Sequence, residues 1–232
     1  MDSRRIRAMG KHLPGTIAID GAAASGKSSL GKALAAELGY RFLDTGLMYR
    51  AFALAAMRAG LRATEPEACV ELARELPMRL EVGEDARVWL DEEDVTPLLR
   101  SPEVEASVSP YSAIPGVRAE MVRRQQEFAG EGRAVLAGRD IGTVVLPDAP
   151  VKFFLRATED VRALRRSSQA EEWGERQASE EALRDIAGRD RVDTRRKTSP
   201  LRPARDAIVI DTTDLTLEEV VAQALERVRC AG

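Results

Sequence analysis

TIAIDGAAASGKSSL (Thr16–Leu30) decides the reading of this chain. Its first part, Thr16–Asp20, is a short continuous apolar run, the pattern of a strand covered on both faces of a parallel sheet. The next part fits G-x-x-x-x-G-K-[ST] at every fixed position: Gly21, Gly26, Lys27 and Ser28, with Ala22, Ala23, Ala24 and Ser25 between and Ser29 after. Leu30, Leu34 and Leu38 then recur every four residues, and Gly39 closes the helix they predict. Each fixed residue has a physical task. Glycines let the backbone curl so that successive N–H groups converge on an anion. The helix that starts there turns its positive end toward the same anion. Lys27 can reach β- and γ-phosphates, and the Ser28 hydroxyl can hold Mg²⁺. The stretch therefore predicts a strand–loop–helix unit that grips a nucleoside triphosphate, ATP, as phosphoryl donor.

Outward from this unit, further strands are expected at Arg41–Leu43, Ala134–Ala137, Val151–Leu155 and Ala207–Ile210. Helical patterns follow the last two, at Glu159–Ser168 and Leu217–Val228. Strands alternating with helices predict βαβ units: an α/β, three-layer fold with a parallel sheet between helices. The middle differs. Gly46–Gly60, Glu65–Leu76 and Ile114–Phe128 read as helices, and Arg79–Leu90 alternates around Gly83-Glu84-Asp85 like a β-hairpin. Residues 47–130 are thus expected to form an insert in one domain, residues 14–230, whose core is 14–46, 131–160 and 177–230. Residues 1–13 carry Arg4, Arg5, Arg7 and Lys11 without an apolar run, and are expected to be a disordered tail rather than a leader.

Composition removes several function classes. Lys and Arg total 35 against 38 acids, a net charge of −3, which gives no field for nucleic acid or anionic lipid. Residues 156–205 are rich in arginine, but their acids nearly balance it, unlike a one-signed nucleic-acid stripe. Cys69 and Cys230 form no CxxC pair, which fits a reducing cytoplasm. The single histidine, His12, precedes the first strand, so Ser-His-Asp triads and His-ligated metals are excluded. The chain has no asparagine, so the guanine-reading Asn-Lys-x-Asp motif is impossible. No apolar run approaches bilayer length. A monomer is expected, with no nucleic-acid or membrane partner.

Three clusters remain that packing does not require: Asp44-Thr45-Gly46…Tyr49-Arg50, Gly138-Arg139-Asp140-Ile141-Gly142-Thr143, and Arg189-Asp190…Asp193…Arg195-Arg196. The first two follow strands, where open α/β sheets bind ligands. With these residues the sequence resembles the bacterial cytidylate kinases, of the nucleoside monophosphate kinase group with the P-loop NTPase fold. The resemblance runs from about Thr16 to Val228, and its most specific piece is AGRDIGTVVLPDAPVKFFL, Ala137–Leu155.

The resemblance implies roles. Thr45, Arg50, Arg139 and Arg196 match positions that hold the acceptor phosphate. Ser109, Arg118 and Asp140 match those that read the cytosine edge, and Arg189 and Asp193 those near the sugar. Lys27, Arg139, Arg162, Arg166 and Arg196 are the expected catalytic cations, and residues 161–176 the expected lid. The insert resembles the monophosphate-binding insert of the bacterial type. Two departures stand out: Ala137 replaces an acid that helps order Mg²⁺, and Ala22 and Ala23 replace Pro and Ser. The expected reaction is in-line transfer of the γ-phosphoryl of ATP to CMP or dCMP, with Mg²⁺ held at Ser28. It needs no covalent intermediate, because the acceptor oxygen is already anionic. A kinase for UMP or another small acceptor, and an ATP-binding regulator without turnover, are the alternatives.

Overall fold

The computed structural model describes residues 13–81, 86–172, 179–196 and 198–231; within these, the side chains of 169–172, 179–182, 185 and 189 lie outside the description. The expected tail up to residue 12, the turn at 83–85 and residues 173–176 of the expected lid therefore lie outside the described residues.

In chain order the elements are β1 (Thr16–Gly21), α1 (Lys27–Leu38), β2 (Arg41–Asp44), α2 (Thr45–Arg58), α3 (Pro66–Glu75), β3 (Met78–Glu81), β4 (Arg87–Leu90) and β5 (Glu93–Asp94). There follow α4 (Pro102–Ser112), α5 (Pro115–Gly130), β6 (Ala134–Gly138), β7 (Val151–Arg156), α6 (Glu159–Glu172), α7 (Ser179–Arg195), β8 (Ile208–Asp211) and α8 (Leu217–Cys230). The main sheet has five strands in the order β2-β6-β1-β7-β8. All four of its pairings are parallel. The strands β3, β4 and β5 form a separate antiparallel sheet, with Met78 opposite Leu90 and Leu90 opposite Glu93.

Alternation along the central strands feeds two cores, one on each face. Ile17, Ile19, Val135, Ala137, Phe153 and Leu155 pack with Leu30 and Leu34 of α1 and with Val220, Ala224 and Val228 of α8. Gly31 brings α1 close to the sheet: a Cβ there would lie 2.3 Å from the Phe42 ring. On the opposite face Ala18, Leu43, Ala134 and Leu136 join Met48 and Phe52 of α2, Val117 and Met121 of α5, and Val88 of β4. Each fully buried Leu, Ile or Phe stabilises the fold by about 1.5–3 kcal/mol. The helices and hairpin of the middle segment thus share a hydrophobic cluster with the main sheet.

Three elements differ from expectation. Helix α4 is present although the sequence reading assigned none there; Pro110 lies inside it, and Ser101 caps it by accepting from Val104 N. The hairpin gains a third strand, β5. After β6 the chain makes one wide helical turn, Ile141–Val145, where the sequence reading assigned no helix.

Candidate active site

The phosphate loop joins β1 to α1 as a bare turn. Gly26 precedes α1 at φ 89°, and no side chain caps the helix, so its first N–H groups are open to an anion. Gly21 is sterically required: a Cβ there would lie 2.8 Å from the Leu155 carbonyl oxygen and 2.6 Å from Ser25 Oγ. Lys27 Nζ donates to the Ala22 carbonyl at 3.2 Å. The loop is braced from behind. Asp190 Oδ1 accepts from Ala23 N at 3.2 Å, Arg162 Nη1 donates to Ala23 O at 3.2 Å and pairs with Asp190, and Thr212 Oγ1 donates to Ser25 O at 3.3 Å. Arg162 is one of the expected catalytic cations. It is buried behind the loop, absent from the cavity wall.

In front of the loop lies a cavity of about 540 Å³. Among the described residues its wall carries eight cationic side chains, Lys27, Lys32, Arg50, Arg100, Arg118, Arg139, Arg166 and Arg196, against three carboxylates, Asp44, Asp140 and Asp193. That excess of positive charge suits polyanionic occupants. Loss of hydration, then the nearby Arg139 charge, push Lys27 down from 10.5 to about 7. Of the expected site residues, Ala23, Ala24, Gly26, Lys27, Ser28, Ser29, Thr45, Arg50, Ser109, Arg118, Arg139, Asp140, Arg166, Asp193 and Arg196 share this wall. Gly21, Ala22 and Ser25 form the body of the loop behind it. Arg189 lies on α7, with its side chain outside the described residues.

The far wall is a set of buried ion pairs. Arg118 Nη2 meets Asp140 Oδ2 at 2.5 Å, their side chains 4% and 5% exposed. Arg50 Nε meets Glu105 Oε1 at 2.5 Å, and Arg166 Nη2 meets Glu105 Oε2 at 3.1 Å. Arg139 Nε meets Asp193 at 2.8 Å, while its Nη1 donates to the Gly21 carbonyl at 2.6 Å. Arg139 thereby links the phosphate loop to α7. Burial pushes the Arg196 guanidinium below its usual value; its Nε is buried without a hydrogen-bond partner, and its Nη2 has only a 3.4 Å ion pair with Asp193. Unsatisfied guanidinium nitrogens on a cavity wall are costly unless an anion meets them.

Asp20 holds the Gly138–Thr143 segment in place. Its two oxygens accept from Ile141 N at 2.7 Å and Gly142 N at 2.8 Å. Burial pushes its carboxyl up to about 6 despite those bonds. Thr45 Oγ1 donates to Ala137 O at 2.9 Å, tying α2 to the same segment. Asp20, Glu105 and Arg100 were not singled out from sequence, and Asp190 was quoted in a cluster without a task. Asp44 was quoted but given no task. No sequence signal marked Glu105, whose partners Arg50 and Arg166 lie 55 and 61 residues away along the chain.

A phosphate loop after β1 and an arginine-lined cavity across the carboxyl ends of a parallel sheet define a P-loop kinase, a phosphotransferase. The family model described as cytidylate kinase matches residues 17–230. The cytidylate kinase of Desulfitobacterium hafniense (strain Y51) is 46% identical over 209 residues, 90% of each chain. That of Caldanaerobacter subterraneus subsp. tengcongensis is 47% identical over 213 residues, 92% of this chain and 94% of the relative. That of Mycolicibacterium paratuberculosis is 46% identical over 215 residues, with the same two coverages. This chain belongs to the cytidylate kinase family and is a nucleoside monophosphate kinase. Among the described residues no helix is long and apolar enough to cross a membrane.

Proposed function

We propose that the protein transfers the γ-phosphoryl group of ATP to CMP or dCMP, giving ADP and CDP or dCDP. The observation that carries this reading is one continuous cavity joining the phosphate loop to the buried Arg118–Asp140 pair. The loop at Gly21–Ser29 holds the triphosphate through backbone N–H groups and Lys27. Thr45, Arg50, Arg139 and Arg196 hold the acceptor phosphate in line with it. Arg139 suits both sides, since it touches the loop and Asp193 together. Arg166 and Arg196 neutralise charge on the moving group, and Arg162 fixes the loop from behind.

At the acceptor base, cytosine presents an N4 donor and N3 and O2 acceptors. Asp140 accepts from N4, while Arg118 and Ser109 donate to the acceptors. Asp193 and Arg189 serve the sugar. Residues 47–130 act as the acceptor-binding insert and 161–176 as the lid that excludes water. The donor set at Ser28, a hydroxyl with a neighbouring carboxylate, suits Mg²⁺, a hard cation that takes oxygen ligands. When bound with ATP, Mg²⁺ neutralises the β- and γ-phosphate oxygens.

The test is steady-state phosphotransfer from ATP to CMP, dCMP and UMP. A chain that transferred to UMP as well as to CMP would refute the cytosine reading.

A further inference from the structure

We propose that Asp44 is the positioning carboxylate for Mg²⁺: it holds the ion's water shell against Ser28. The inference rests on the reading of the loop as an ATP·Mg²⁺ site.

Asp44 ends β2, in register with Ala137 of β6, which is itself in register with Ile19 of β1. Ile19 and Ala137 point into the core on the α1 side of the sheet, and so does Phe42, two residues before Asp44. Strand alternation therefore aims Asp44 at the same side, toward the start of α1. There its Oδ2 accepts from Ser28 Oγ at 2.7 Å. Its other oxygen, Oδ1, accepts from Gly46 N at 3.0 Å and caps α2, which fixes the rotamer. Capping needs only one of the two oxygens. The second is left facing the hydroxyl that the loop motif assigns to the metal.

The neighbouring acids are committed elsewhere. Both oxygens of Asp20 accept from backbone N–H groups. Asp140 meets Arg118, Asp193 meets Arg139 and Arg196, and Glu105 meets Arg50 and Arg166. Among the described residues Asp44 contacts a hydroxyl and a backbone N–H and has no guanidinium within ion-pair distance, with Lys27, Arg50 and Arg100 acting on it from further off. Its register partner on β6 is Ala137, which has no side-chain oxygen to offer. Among the described residues no three His, Cys, Asp or Glu side chains cluster to cage a metal. A cation here would take most of its ligands from phosphate and water, the regime in which Mg²⁺ is held by one or two protein oxygens. A carboxylate that orders such a shell changes metal affinity by about 10- to 100-fold when neutralised.

The test is Asp44→Asn in the full chain. Asparagine keeps the cap through Oδ1; its Nδ2 stands where Oδ2 was, so the variant removes the charge and turns Ser28 Oγ from donor to acceptor in that contact. The probe is a non-hydrolysable ATP analogue, titrated calorimetrically with and without Mg²⁺. The wild-type chain binds the analogue more tightly with Mg²⁺. In Asp44→Asn that gain falls by about tenfold or more, while affinity without Mg²⁺ is unchanged or higher, since one negative charge has left the cavity. An unchanged gain, or an equal loss with and without Mg²⁺, overturns the proposal and leaves Asp44 a brace for the loop. A wild-type chain indifferent to Mg²⁺ would instead refute the ATP·Mg²⁺ reading, and with it this inference.

Discussion

Replacing Asp140 by Asn tests the base-reading pair. The 2.5 Å contact joins two side chains that are each about 95% withdrawn from water, so solvent does not screen it. Asn removes the charge and leaves the Arg118 guanidinium beside a neutral amide. Arg118 keeps only a 3.3 Å bond to the Ser112 carbonyl and the face of Tyr49, 5.3 Å from the ring centre. Breaking a buried pair by removing one partner costs about 3–5 kcal/mol, and the amide oxygen recovers part of it. A net loss of about 3 kcal/mol lowers Tm by roughly 6–12 °C in a chain of this size. Function should fall separately. Losing a charged hydrogen bond to the cytosine amino group costs about 1.5–3 kcal/mol, or roughly 10- to 150-fold in the preference of kcat/KM for CMP over UMP. Thermal unfolding and a coupled assay on both acceptors measure the two effects. A variant that melts with the wild type and keeps its CMP preference would refute the reasoning.

Other perturbations follow from single contacts. Gly138→Ala would place a methyl 2.6 Å from Thr45 Oγ1 and 2.7 Å from Ile141 Cδ1, so KM for CMP should rise by about tenfold or more while KM for ATP holds, as initial rates will show. Arg50→Ala should lower kcat/KM for CMP by roughly 100-fold or more and leave ATP binding by calorimetry intact, since Glu105 retains Arg166. Lys27 is held near 7 in the free protein, below its ordinary 10.5. A triphosphate raises that value, so binding takes up a proton above pH 7. ATP affinity should weaken by up to about tenfold per pH unit as pH rises through 7 to 8, with proton uptake seen by calorimetry in two buffers and abolished in Lys27→Met.

The donor half was legible because it is local. Thirteen consecutive residues from Thr16 to Ser28 specify strand, turn and helix start, and the structure places them so. The parallel strands were legible as apolar runs, and most helix ends fell within a few residues. Helix α4 escaped because its apolar residues make a weak stripe and Pro110 reads as a breaker; its place depends on packing against α2 and α5. Glu105 escaped with it, since its partners Arg50 and Arg166 lie 55 and 61 residues away and only the fold brings them together. The place of Arg162 was hidden for the same reason. An arginine near a lid looks alike in sequence whether it faces the cavity or, as here, turns back onto Ala23 and Asp190. The Ser28–Asp44 contact is set by strand order, which puts β2 and β6 beside β1.

The central claim is that the loop at Gly21–Ser29 is the donor half of a kinase whose acceptor half reads cytosine. Steady-state phosphotransfer from ATP, with CMP, dCMP, UMP and AMP compared side by side, tests it most directly. The highest kcat/KM should belong to CMP or dCMP, with UMP and AMP lower by about tenfold or more, as one unmatched buried polar contact requires. Equal turnover of UMP, or no acceptor turnover by a chain that binds ATP, would contradict it.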